Sequence, residues 1–129
     1  MMVITLNEFY MGRDQSHRDE LTREICAQAK ITVECANQLL AAAKMTAKVN
    51  SGWRPKAINA KAGGAPKSKH MTGQAIDLAD PKGDLGRWCL DNLSELARIG
   101  LWIESPERTQ SWLHAQIVPP ASKRRVFNP

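Results

Sequence analysis

Three residues of this chain, His70, Asp77 and His114, are of the types that bind a metal ion together. Two imidazole nitrogens and one carboxylate oxygen are a usual protein contribution to a catalytic zinc, whose fourth position stays open for water. His70 and Asp77 lie in Ser68-Lys69-His70-Met71-Thr72-Gly73-Gln74-Ala75-Ile76-Asp77, and His114 ends Trp112-Leu113-His114. Between the first two ligands the chain must turn and become a strand. Gly73 supplies permissive backbone for the turn, and Ala75-Ile76-Asp77-Leu78-Ala79 alternates as a strand does. On that alternation Ala75, Asp77 and Ala79 share one face, with room beside the carboxylate for a metal or a substrate. Ile76 and Leu78 share the other.

The pattern Ser-x-His-x-x-Gly-x-Ala-x-Asp, followed by Trp-x-His, resembles the zinc-site signature of the M15 peptidases. Ser68, His70, Gly73, Ala75, Asp77, Trp112 and His114 all fit it. Ser51-Gly52-Trp53-Arg54 is similar to the Ser-Gly-aromatic-Arg motif that precedes the first ligand in that family. The match covers roughly residues 48 to 118, with a looser similarity over the N-terminal part. The family includes D-Ala-D-Ala carboxypeptidases and the L-alanyl-D-glutamate endopeptidases of phage endolysins. The resemblance therefore implies Zn2+ held by His70, Asp77 and His114, and the stem peptides of bacterial peptidoglycan as substrate.

Hydrolysis of a peptide bond also needs a carboxylate that moves a proton from water to the leaving amine. In several M15 branches this is a glutamate three positions before the last histidine. Here that position is Ser111. Glu104 is the replacement we expect, because it ends the strand before Trp112. With Ser105 to Ser111 as the loop of a hairpin, direct pairing sets Glu104 against Trp112 and Trp102 against His114. Glu104 and His114 then project from one face, diagonally related. Glu107, in the loop, is the competing carboxylate.

Arg54 has two readings, a surface arginine before a proline or a guanidinium that grips a substrate carboxylate through paired hydrogen bonds. We expect the second. Ser68 either binds substrate or steadies a ligand. Trp112 is either core or a wall of the cleft. The Gly63-Gly64-Ala65-Pro66-Lys67-Ser68 run lacks the ending of a phosphate-binding loop, so residues 56 to 69 read as a loop that delivers Ser68 and His70.

These residues need elements to hold them. Val3 to Leu6 is apolar, and Phe9 and Tyr10 are expected to anchor it. Asp14 or Ser16 is placed to cap a helix from His17 to Ala29, with Leu21, Ile25, Cys26 and Ala29 on one face. Thr32 offers a cap for a second helix through Ala43, or a single helix runs through. Val49 starts a strand. Leu85 to Ala97 reads as one amphipathic helix stopped by Gly100. Leu101 to Glu104 and Trp112 to Val118 read as strands, and Pro119-Pro120 as the end of regular structure. The expected fold is α+β: helices first, then a small mainly antiparallel sheet with another helix packed on it. The resemblance implies the D-Ala-D-Ala-peptidase or hedgehog type of that class.

The 129 residues, 43% hydrophobic and 24% charged, suit one domain with an ordinary core. Cys26, Cys35 and Cys89 form no metal-type pair and read as small buried hydrophobes. Met1 to Glu8 lacks the basic start and long apolar run of an export signal, and no stretch reaches the length of a membrane span. Synthesis in the cytoplasm is expected, with action on the wall after phage-mediated release or from a virion. A net charge of +5 and a pI near 9.4 favour an anionic partner. Nucleic acid is the weaker choice, since the one dense basic run, Lys123-Arg124-Arg125, reads as a solvated tail. Two rivals remain: a zinc-binding but inactive wall-binding or virion protein of the same fold, and a small basic nucleic-acid-binding protein.

Overall fold

The computed structural model describes residues 3–129; the start of the N-terminal segment weighed above as an export signal lies outside them. Its centre is a five-stranded sheet in the order β1-β2-β4-β3-β5. The strands are β1 (Val49–Ser51), β2 (Ala75–Ala79), β3 (Trp102–Glu104), β4 (Trp112–Gln116) and β5 (Val126–Phe127). The first three pairings are antiparallel and β3 with β5 is parallel. The helices are α1 (Leu6–Tyr10), α2 (Arg13–Ser16), α3 (Arg23–Ala43), α4 (Lys56–Lys61), α5 (Asp84–Asp91) and α6 (Leu93–Ile99). This is the expected α+β architecture.

The two faces of β2 divide the labour. Ile76 and Leu78 are wholly buried in one cluster with Leu113 and Ala115 of β4, Ile103 of β3, Ala29, Val33, Ala36 and Leu40 of α3, and Leu96 of α6. Each of the leucine, isoleucine and valine side chains among them contributes about 2 kcal/mol through the apolar area it removes from water. Asp77 points the other way, so the helices back the sheet and the site occupies its opposite face. Phe9 and Tyr10 are buried as anchors, and Tyr10 meets Trp53 edge to face at 6.3 Å.

Several local expectations are corrected. The long helix starts at Arg23 rather than His17, because Thr22, and neither Asp14 nor Ser16, accepts a hydrogen bond from Ile25 N at 3.2 Å. A 3-10 turn at Arg18–Glu20 precedes it. Thr32 caps nothing. It sits inside the uninterrupted α3, where its hydroxyl lies 2.9 Å from Gln28 O and 2.7 Å from Gly73 O. That bond back along the helix is how a threonine is satisfied in a buried helix interior. Residues 56 to 61, expected as loop, form α4. The expected helix from Leu85 to Ala97 breaks at Asn92, which has φ −135° and whose side chain donates to Trp88 O. Gly100 stops α6 as expected, at φ 96° with its N–H on Leu96 O.

The chain also continues past Pro119-Pro120. Residues 126–127 add the fifth strand, and the expected solvated tail is docked at Arg125. Its guanidinium lies 4.3 Å from the Trp102 ring centroid and donates to Leu101 O. Lys123 and Arg124 are exposed. Cys35 and Cys89 are buried, Cys26 is half-buried, and all three are free thiols.

The β3–β4 pair differs from the simple hairpin in register. Trp102 pairs with Gln116 and Ile103 with Ala115, two residues along from direct closure. The segment between them folds as two turns, closed by Arg108 N to Ser105 O and by Trp112 N to Thr109 O. These turns lift it past the strand ends. A shift of two keeps every side chain on its face, so Glu104 still projects with His114.

Candidate metal centre

One rung across the sheet carries the site. Ser51 pairs with Asp77, and Asp77 with His114. Continuing the β3–β4 register places Glu104 opposite His114, and Glu104 pairs with Phe127. The rung thus runs Ser51, Asp77, His114, Glu104, Phe127, one residue from each strand. His70 arrives from the loop before β2, its ring centroid 5.3 Å from that of His114. Phe127 closes the other side of His114, edge to face at 6.1 Å.

His70 Nε2 lies 3.2 Å from Asp77 Oδ1, and His114 Nδ1 lies 2.9 Å from the same oxygen. The three ligand atoms all fall within 4.8 Å of one another. What faces the other ring nitrogens decides the chemistry. His70 Nδ1 is 2.8 Å from Gly52 O, which can only accept, so Nδ1 carries the proton. His114 Nε2 is 2.9 Å from Gln116 Oε1 and donates to it. Each ring therefore turns its lone-pair nitrogen toward a carboxylate oxygen that is itself an acceptor. Such a triangle is stable only around a cation or with an added proton on a ring.

The titration of these groups reflects that need. Burial would raise the Asp77 carboxyl, but hydrogen bonds from His114 and His70, with their charge, hold it well below the usual carboxylate range. Burial would lower His114, but Asp77, Gln116 and the charge of Glu104 outweigh it and raise the imidazole. For a metal, the donor set and spacing fit zinc: ligands about 2.0–2.1 Å from a tetrahedral ion stand roughly 3.4 Å apart. Fixing a ring through its second nitrogen is also the usual way metal-binding imidazoles are held.

The Ser51-Gly52-Trp53-Arg54 segment stitches the loop of His70 to the sheet. Trp53, 1% exposed, donates from Nε1 to Met71 O at 3.1 Å. Arg54 N donates to His70 O at 3.0 Å. Gly52 lies against α1, where any Cβ would overlap Phe9 O, so only glycine brings its carbonyl this close to His70. The Arg54 side chain is shared out: Nε donates to Ser51 Oγ at 2.9 Å, one terminal nitrogen lies 3.5 Å from Asn59 Oδ1, and the other is 3.3 Å from Asp77 Oδ2. Arg54 thus holds the carboxylate oxygen that the histidines leave free, and it also lines the cleft. Ser68 Oγ accepts from His70 N at 3.2 Å. It steadies the ligand's backbone, and it too lines the cleft.

The cleft, about 690 Å³, opens over this rung. His70, Asp77 and His114 lie in its wall together with Glu104, Trp112 and Phe127. Glu104 is half-buried there. Glu107 is exposed and outside the lining. Ser111, at the position where several family branches carry glutamate, is exposed. Two positioning residues escaped the sequence reading. Asn59 sits on α4, in a stretch read as loop. Gln116 shares the alternating face of β4 with His114, and that alternation was the available signal.

Two imidazoles and a carboxylate on the wall of an open cleft form a group that could hold a metal ion, on an α+β scaffold. A family model described as peptidase M15 matches residues 9–115, and the chain belongs to that family of peptidases. No curated protein sequence matches the chain. No helix among the described residues is long and apolar enough to cross a membrane.

Proposed function

We propose that this protein is a zinc-dependent metallopeptidase that cleaves peptide bonds in the stem peptides of bacterial peptidoglycan. The observation that carries the reading is that one nitrogen of each imidazole and one carboxylate oxygen lie within 4.8 Å of one another on the cleft wall. Family membership supports the peptidase activity. His70, Asp77 and His114 would hold the zinc, which when bound polarises the scissile carbonyl and makes bound water acidic. Glu104, one strand over from His114, takes the proton of the attacking water and returns it to the leaving amine. Arg54 keeps Asp77 in place, and the N–H groups of its terminal nitrogens not used by Asn59 and Asp77 are the donors for a carboxylate of the substrate. Ser68 borders the same part of the cleft and is the second substrate contact. Peptidoglycan stem peptides carry several carboxylates, which suits a basic protein.

The test is elemental analysis of the purified protein and of His70→Ala, with hydrolysis of purified peptidoglycan followed on the same samples. One zinc per chain, lost together with release of peptide fragments in the variant, is the expected result. Zinc without hydrolysis would instead make this a binding protein with an inactive site. A wild-type protein that takes up no zinc would overturn the reading.

A further inference from the structure

The proposed reaction leaves one buried polar side chain of β4 without a part. Gln116 is 5% exposed. Its Oε1 accepts from His114 Nε2 at 2.9 Å, and its own Nε2 donates to Val118 O at 2.9 Å. The second bond fixes the first. Turning the amide over would set its carbonyl against that of Val118, two acceptors with no hydrogen between them. Oε1 is therefore held toward His114 by a carbonyl just past the end of the same strand. Space for it comes from β2, where the residue opposite Gln116 is Ala75, wholly buried and with only a methyl group.

We propose that Gln116 is a positioning residue that selects Nδ1 of His114 as the metal-facing nitrogen. It keeps a proton on Nε2, and it opposes turning the ring over, which would replace the N–H facing Oε1 by the C–H of Cε1 and turn Cδ2 in place of Nδ1 toward Asp77. A ring without this partner loses its fixed tautomer and its fixed orientation, and metal affinity falls because both must be ordered on binding. Gly52 O does the same for His70, with opposite polarity along the ring: there Nδ1 is tied and Nε2 is free. The two imidazoles are thus locked by different nitrogens. The inference rests on the zinc reading above.

The experiment uses zinc-loaded protein labelled with 15N at histidine. Long-range proton–nitrogen spectra are expected to show His114 metallated at Nδ1, with a slowly exchanging proton on Nε2. In Gln116→Met, similar in size but without the acceptor, that proton exchanges rapidly and zinc affinity, by competition with a chromophoric chelator, falls about 10- to 100-fold. Gln116→Glu restores the slowly exchanging proton, because it keeps an oxygen toward His114 Nε2, although it gives up the donor to Val118 O. Metallation at Nε2 in the wild type, or a folded Gln116→Met that binds zinc within about twofold of wild type, would overturn the proposal. Should Gln116→Met fail to fold, the wild-type spectrum alone decides: rapid exchange at Nε2 sinks the idea. Zinc uptake with the wrong nitrogen defeats this inference only, whereas no zinc uptake defeats the metallopeptidase reading with it.

Discussion

Asp77 and His114 stand directly opposite each other on β2 and β4, with Oδ1 and Nδ1 2.9 Å apart. This pair of candidate ligands is therefore held by the hydrogen-bond ladder of two interior strands rather than by loops. On its other oxygen Asp77 meets Arg54 at 3.3 Å, with both side chains largely buried. Asp77→Ala should abolish tight zinc binding, exceeding the roughly 10- to 100-fold cost of outer partners. It should also destabilise the metal-free protein by about 3 kcal/mol, because Arg54 loses its carboxylate in a buried setting. Zinc titration and urea unfolding of chelator-treated protein measure the two effects. A metal-free variant as stable as wild type would mean that the Arg54 pair contributes nothing.

The carboxylate that moves the proton is distinguishable by position. Glu104→Gln should lower kcat by about 10²- to 10⁴-fold while leaving zinc content at one per chain. Glu107→Gln should leave kcat unchanged, since that side chain is exposed and outside the cleft lining. Peptide-release kinetics on purified peptidoglycan compare the two; the opposite ranking would transfer the role to Glu107.

Gly52 is required for space and not for conformation. Gly52→Ala forces a methyl group into Phe9 O, and should cost about 3 kcal/mol while weakening zinc binding through displacement of the carbonyl that orients His70. Gly63 gives the contrast. It has φ +72° with open space around it, so Gly63→Ala should cost only the left-handed backbone penalty of about 1 kcal/mol. Thermal and chemical unfolding of both variants check this ranking, and similar losses would contradict it.

Alkaline pH should weaken the fold through its thiols. Burial, with the charge of Asp80, pushes the Cys89 thiol up to about 12, and burial with the charge of Glu34 raises Cys35. Burial and a hydrogen bond with Cys26 raise Tyr10 as well. Each group is protonated longer in the folded chain than in the unfolded one, whose thiols ionise near pH 8.5. The unfolded state thus holds fewer protons above that pH, and stability falls as pH rises, by at most about 1.4 kcal/mol per unit for each group. Urea midpoints between pH 7.5 and 10.5 should decline, and less steeply in Cys89→Ala. A flat profile would show that the thiols stay un-ionised in both states.

The sequence by itself singled out the candidate ligands, because His70, Asp77 and His114 stand in a motif whose residue types can hold a metal, and the structure brings the three together. It also determined the faces of β2 and β4, since strand alternation is a property of the backbone and survives any even shift of register. The stop at Gly100 and the anchoring by Phe9 and Tyr10 were legible for similarly local reasons. Tertiary structure decided what periodicity cannot reach. Thr32 lies inside one helix with its hydroxyl on Gly73 O, 41 positions away, a partner that no local pattern could name. That Glu104 stands opposite His114 rather than Trp112 depends on how the loop between them folds. The docking of Arg125 on Trp102, and the fifth strand that follows, need a sheet edge that exists only once the other four have assembled. The tautomers of the two histidines are likewise set by Gly52 O and Gln116 Oε1, partners fixed by the packing of strands and not by any residue's type.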